Sequence, residues 1–235
     1  MSLPFAFPID EKTITSRRAQ ILDEMIHLDP GFASTPITSI SSASLETLLR
    51  MYDESFFGGN LLRTYKSIPV SLSSRMLRAA GKVIRWNAGN IEIRMSSDFF
   101  FRLSSGPFHL NGLSLSTIQE AFLIVFEHEL CHAADYALRG RSGHDQYFKT
   151  LAFGLFGHTS VYHELPTRKK EAAAEGICVG LRASFIFEGK HLTGTITYIG
   201  KTATVMVPDP KGSYRGRFGR RYAKYRVPLS DLTPL

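Results

Sequence analysis

Residues 114–140 read SLSTIQEAFLIVFEHELCHAADYALRG, and within them His128, Glu129 and His132 form an H-E-x-x-H run. Leu115, Ile118, Phe122 and Val125 recur at helical spacing, Thr117 and Glu120 have the separation of a capping box, and neither Gly nor Pro intervenes before Gly140. The motif is therefore expected on a helix. At about 3.6 residues per turn, positions four apart lie about 40° apart around the axis, so both imidazoles can reach one metal ion. Glu129 lies beside them, where its carboxylate suits proton transfer from a water polarised by zinc, and this ties the pattern to hydrolysis rather than to structural zinc.

A zinc ion held by two imidazoles needs a third protein ligand, with the fourth position left to water in a catalytic site. His144 is the strongest candidate. It follows the break RGRSG at 139–143, after which DQYFKTLAFGLFG resumes a helical pattern, so a returning chain can present it to the first helix. His158 and His163 are rivals, and Glu164 and Glu171 are available if the third ligand is a carboxylate. Spacing alone does not choose among them. Cys131, one position before His132, projects away from the ligand pair and reads as a small core residue.

The order HELCHA at 128–133, then SGHDQYFK at 142–149, resembles the SprT-like metallopeptidases, the group that includes Spartan, in which H-E-x-x-H-A precedes a histidine near G-H-x-x-x-F. Upstream, YDESFFGGNL, IPVSLSSRMLRAAGKVIRW and IEIRMSS resemble the family's helix ending in F-F-x-G, a strand reading into S-x-R-M, an A-G turn and a second strand ending in I-x-L/M-S. The resemblance covers residues 42–165. It implies a zincin-like α+β domain with one zinc ion, His128, His132 and His144 as its ligands, and Glu129 as general base. The chain departs from the family's G-H-G in having Asp145 after the third histidine, a residue suited to capping the next helix. In SVYHE, 160–164, Tyr162 or His163 is a candidate to stabilise an oxyanion, with core packing as the alternative.

Around this centre, residues 10–27 are expected to form an amphipathic helix with Ile14, Ile21, Met25 and Ile26 on its apolar side, followed by the Ser- and Pro-rich loop GFASTPITSISSAS. A second helix is expected near 44–57 and strands near 68–73, 80–86 and 90–95, with the metal helix packed on that small sheet. After RKKEAAAEG the texture changes. ICVGLRASFIF alternates, with Ile177, Val179, Leu181, Ala183, Phe185 and Phe187 on one face, and HLTGTITYIGKTATVMVP adds Gly turns and β-branched residues. With the closing YAKYRVPLSDLTPL, this stretch resembles a small all-β SH3-like or KOW-type barrel. The expected organisation is an N-terminal helix and loop (1–41), the metallopeptidase domain (42–165), a linker (166–176) and a basic barrel (177–235).

Charge separates the two halves. From Gly189 onward nine Lys and Arg face only Asp209 and Asp231, a balance of +7 that equals the formal net charge of the whole chain. The stretch KGSYRGRFGRRYAKYR interleaves cations with Tyr214, Phe218, Tyr222 and Tyr225, which suits phosphate contacts and base stacking. Arg215, Arg217, Arg220, Arg221, Lys224 and Arg226 are the candidate nucleic-acid contacts. DNA is the expected partner beside protein substrates, with the single strand taken as preferred. The family resemblance then implies a peptidase acting on proteins bound or crosslinked to DNA. Two alternatives are a nucleic-acid-binding protein whose metal site is structural or inactive, and a peptidase whose barrel binds protein or RNA.

Two cysteines, Cys131 and Cys178, exclude a disulfide framework and fit a reducing compartment. MSLPFAFPIDEK lacks a basic leader and is broken by Pro4 and Pro8, unlike a signal peptide, and the longest plain apolar run, AFLIVF, is too short to cross a bilayer. A cytoplasmic location is expected, associated with the nucleoid if the source is bacterial.

Overall fold

The computed structural model describes residues 5–65, 67–87, 89–104, 106–162 and 165–235. The chain divides into two compact units, Met1–Leu165 and Pro166–Leu235.

In the first unit Asp10 accepts from the Thr13 amide and starts α1 (Glu11–Leu28), which buries Ile14, Ile21 and Met25. Ile26 was expected on the same side but is 40% exposed, since it is one residue, about 100° around the axis, beyond Met25. The turn α2 (Pro30–Ala33) leads to α3 (Ser42–Phe57), capped by Ser41 and closed by Gly58 in the left-handed region at φ 60. Asp53 reaches out of α3 to accept from the Leu61 and Leu62 amides of α4 (Asn60–Thr64). Strands β1 (Val70–Ser73), β2 (Gly81–Asn87) and β3 (Asn90–Ser96) form a sheet in the order β1-β3-β2, with β1 parallel and β2 antiparallel to β3. β2 is thus an edge strand.

Residues 97–115, which carry no clear periodicity, supply α5 (Ser97–Phe100) and a hairpin of β4 (Phe108–Leu110) with β5 (Leu113–Leu115). Leu115, expected within the metal helix, closes that hairpin, and α6 (Ile118–Arg139) begins only after Thr117, whose side chain accepts from the Glu120 amide in the expected capping box. α7 (Gln146–Phe156) returns beside it. The core gathers Tyr52, Phe56, Phe126 and Phe156, with ring centroids 4.8–6.0 Å apart, and burial of each such ring contributes about 1.5–3 kcal/mol.

The second unit opens with α8 (Arg168–Ala174), within the stretch read as linker, and Ala172 is buried in this unit's core. Six strands follow: β6 (Arg182–Phe187), β7 (Lys190–Ile199), β8 (Ala203–Pro208), β9 (Tyr214–Arg215), β10 (Arg221–Val227) and β11 (Thr233–Pro234). Their order, β11-β6-β7-β8-β10-β9, is an open antiparallel sheet and not the expected barrel. Closure would require β9 to pair with β11; each has two residues, and Pro234 has no amide hydrogen to donate. The alternation read from Ile177 also starts late. Gly180 turns the chain at φ 93, so only Ala183 and Phe185 of that face are buried strand residues, while Val179 and Phe187 are 45% and 44% exposed. Among the described residues no helix is long and apolar enough to cross a membrane.

Candidate metal centre

α6 is buried on nearly every face, chiefly by apolar residues but with Gln119, Glu127, Glu129 and Asp135 among them, and is more open along the strip that holds His128 and His132. Gly140 ends the helix at φ 71, a backbone region that costs a residue with a Cβ about 1–2 kcal/mol, and the chain turns back at once. Asp145 then caps α7, accepting from the Phe148 amide at 3.0 Å. Between these two caps lies His144. Its Nε2 is 3.0 Å from His128 Nε2 and 3.2 Å from His132 Nε2, and one ring nitrogen from each of the three lies within 4.8 Å of the others.

This donor set fits a single cation. Tetrahedral zinc with bonds of about 2.0–2.1 Å separates its nitrogen ligands by about 3.3 Å, close to the two short separations here. Two of the rings, those of His132 and His144, also have the right protonation. Burial, with His144 beside it and Asp135 opposing, pushes the His132 imidazole down to about 4, and burial followed by Lys149 lowers His144. Both are neutral at physiological pH, the form that ligates metals. With Nε2 of His132 presented to the cluster, its Nδ1 meets Ser142 Oγ at 2.7 Å, a partner that fixes the ring's orientation. The Phe148 ring, with centroids 5.1, 4.4 and 5.0 Å from those of His128, His132 and His144, forms an apolar floor beneath all three.

The loop carrying His144 is tied down by charge. Arg139 makes paired bonds to Asp135 at 2.5 and 2.7 Å and to Asp145 at 2.9 and 3.1 Å. Arg139 and then the Phe148 amide hold the Asp145 carboxyl down to about 2, and both its oxygens are engaged by these two partners. Asp145 is therefore a helix cap and a loop anchor. From β2, Arg85 donates to the Gly140 carbonyl and lies 5.1 Å over the Tyr136 ring.

Glu129 is buried on the side of α6 that faces β2. Burial pushes its carboxyl up to about 8, against the Val83 amide, which favours the charged form. The edge strand comes this close because Gly81 has no side chain: a Cβ there would sit 2.6 Å from Glu129 Oε1 and 2.8 Å from its Cγ. The three histidines, Glu129, Gly81 and Val83 line one cleft of about 280 Å³. Residues 45–165, which contain this cleft's residues, match the model of the SprT-like family. The chain belongs to the SprT-like family. Neither the curated proteins nor the solved structures contain a match to it.

Within the SprT-like domain one rival ligand, His158, goes elsewhere. His158 is buried and bonds Glu127 at 2.9 Å, outside the histidine cluster. His163 and Glu164 lie outside the described residues, and Glu171 belongs to α8 of the second unit. Cys131 is fully buried, as its reading as a core residue requires. Tyr162 is 75% exposed, while its neighbour Val161 lines the cleft. Ser142 and Gly81 had no signal that singled them out; Phe148 is the final residue of the G-H-x-x-x-F pattern.

The basic residues of the second unit separate by strand register. Residues directly opposite on neighbouring strands share a face. Lys224 and Arg226 share the solvent face with Tyr222 and its partner Tyr214, whereas Arg215 and its partner Arg221 lie on the reverse. Arg220 ends the turn between β9 and β10, in which Phe218 is 98% exposed, and the Arg217 side chain lies outside the described parts. Tyr225, read with the other aromatics as a stacking residue, turns to the core side instead and packs on Phe185 and Phe187.

Proposed function

We propose that this SprT-like protein is a zinc-dependent endopeptidase in which Glu129 is the general base. The observation that carries the reading is the convergence of three imidazole nitrogens next to a buried carboxyl group in one cleft. Zinc, when bound, supplies a Lewis acid that polarises a carbonyl and lowers the pKa of water from about 15.7 to about 7. His128, His132 and His144 would hold it, with Ser142 and Phe148 fixing the rings. Glu129 takes the proton of the attacking water at a carboxylate oxygen and returns it to the leaving amine. Its burial excludes bulk water, and Gly81 admits the edge strand close enough to hold it in place.

The substrates in this reading are proteins bound or crosslinked to DNA, and the second unit brings the peptidase to them. The +7 balance of residues 189–235 supports that part, since cations that displace counterions from phosphates dominate nucleic-acid affinity. Two free cysteines support a cytoplasmic setting.

The test is zinc quantification on the purified chain, with cleavage of a DNA-binding protein followed with and without single-stranded DNA. Wild type is expected to carry one zinc and to cleave when DNA is present, and His132→Ala to lose both zinc and cleavage. Bound zinc with no cleavage would leave a nucleic-acid-binding protein with a structural site; cleavage indifferent to DNA would leave a peptidase with another partner.

Gly81→Ala probes the geometry separately. The added methyl displaces the Glu129 carboxylate, and a misplacement of about 1 Å costs on the order of 10²-fold in rate. The expected result is a fall in kcat with zinc content unchanged. Equal kcat in the variant would show that the close approach of β2 does not position the base.

A further inference from the structure

The solvent face of the second unit's sheet is composed by register. In one row Tyr214 pairs with Tyr222, and Tyr222 with Pro208. A second row runs from Lys224 through Met206 and Thr195 to Arg182, and a third from Arg226 through Thr204 to Tyr198. Strict alternation along β7 would send Tyr198 to the core side with Ile196. The register shift between Ile196 and Tyr198 inserts one residue and moves the tyrosine to the open face, where it is 44% exposed while Ile196 and Ile199 stay buried. Tyr214 is 45% exposed and lies beneath the Lys224 ammonium, 5.3 Å from ring centroid to Nζ. The reverse face holds Ala203, Val205, Val207 and Val227 and is the unit's core.

We infer that this open face is a platform for single-stranded nucleic acid, on which Tyr198, Tyr214 and Tyr222 stack bases while Arg182, Lys224 and Arg226 neutralise phosphates. The face carries three cations among its tyrosines and no carboxylate in the rows above, so its charge complements a phosphate backbone. Exposed rings require bases that are already unpaired, because a duplex hides its base faces in its own stack. A sheet face with aromatics two and three strands apart therefore selects single strands over duplex. The inference rests on the reading that the second unit binds nucleic acid, and it assigns that binding to one face: Tyr198 and Arg182 join Tyr214, Tyr222, Lys224 and Arg226 of the sequence pattern, while Arg215 and Arg221 fall on the other side.

The experiment is anisotropy titration of a labelled oligothymidine with the full chain. Tyr198→Ala with Tyr214→Ala is expected to weaken binding about 10-fold or more without changing the salt slope, and Phe at both positions to restore it. Lys224→Ala with Arg226→Ala is expected to lower the slope of log affinity against log salt by about 1.4. Arg215→Ala with Arg221→Ala, on the reverse face, is expected to change affinity less than either pair. Wild-type affinity in the tyrosine variant, or a loss confined to the Arg215 and Arg221 pair, would overturn the platform while leaving nucleic-acid binding intact. No binding by wild type would overturn both.

Discussion

Glu129→Gln is expected to keep bound zinc and to lose peptide hydrolysis by about 10²–10⁴-fold, the range general base catalysis supplies. Glutamine has the shape of glutamate, so it fills the space beneath Gly81 and leaves the cleft's walls as they are. Its amide has no basic oxygen able to take a proton from water. The substitution also removes a buried carboxyl that desolvation disfavours in its charged form, so the fold is not expected to suffer. Zinc per chain, measured by atomic emission, and kcat on a protein substrate separate the two roles. Activity within a few-fold of wild type would sink the mechanism. Loss of zinc would mean that the carboxylate helps to hold the metal, and the pairing of three histidines with an independent base would have to be abandoned.

The site was legible in the sequence where local rules decide it. The H-E-x-x-H spacing, the Thr117 and Glu120 box, the Gly140 stop and the Asp145 cap are all set within a few residues along the chain, and each has the structural place its chemistry indicates. His144 was harder, because its choice over His158 depends on a loop that Arg139 ties back to Asp145, a contact no spacing reveals. Gly81 was readable only as a turn residue. Its approach to Glu129 is a packing fact between a strand and a helix about fifty residues apart. The second unit shows the limit most plainly. Strand texture and turns were readable from 177 onward, but closure of a sheet depends on whether its end strands can pair, and two-residue ends with a proline do not announce that in a hydrophobic pattern. The bulge that exposes Tyr198 is equally silent: alternation alone assigns that residue to the core.

Removing the Glu127 charge is expected to cost the first unit about 3–5 kcal/mol, the range for breaking a buried ion pair from one side. Glu127 is fully buried, one residue before His128. Arg18 of α1 grips both its oxygens at 2.7 Å and also donates to the Phe156 carbonyl, Tyr52 of α3 donates to it at 2.9 Å, and His158 meets it at 2.9 Å. Burial alone would push the Glu127 carboxyl up, but Arg18 and His158 outweigh it and hold the group below its ordinary value. Burial chiefly holds His158 below its ordinary value as well, with Glu127 opposing. The signs then follow. A carboxyl lowered in the fold contributes stability above its unfolded pKa of about 4.3 and loses it as pH falls through the folded value. A lowered imidazole likewise contributes above about 6.5 and loses stability as pH falls from there. Wild type is thus expected to lose stability progressively on acidification from about pH 6.5, and the Glu127 contribution below about pH 4.3 is expected to vanish in Glu127→Gln. Denaturant unfolding followed by helical circular dichroism reports this unit, since among the described residues α8 is the one α-helix of the other. Pairing Glu127→Gln with Arg18→Met should recover much of the loss, because the cost lies in the stranded guanidinium rather than in the missing carboxylate. A single-variant loss of about 1 kcal/mol or less, as for a surface pair, would show that Arg18 finds water when its partner goes. The stronger result would identify this network as what holds α1, α3 and the segment after α7 against the back of the helix whose front carries the histidines.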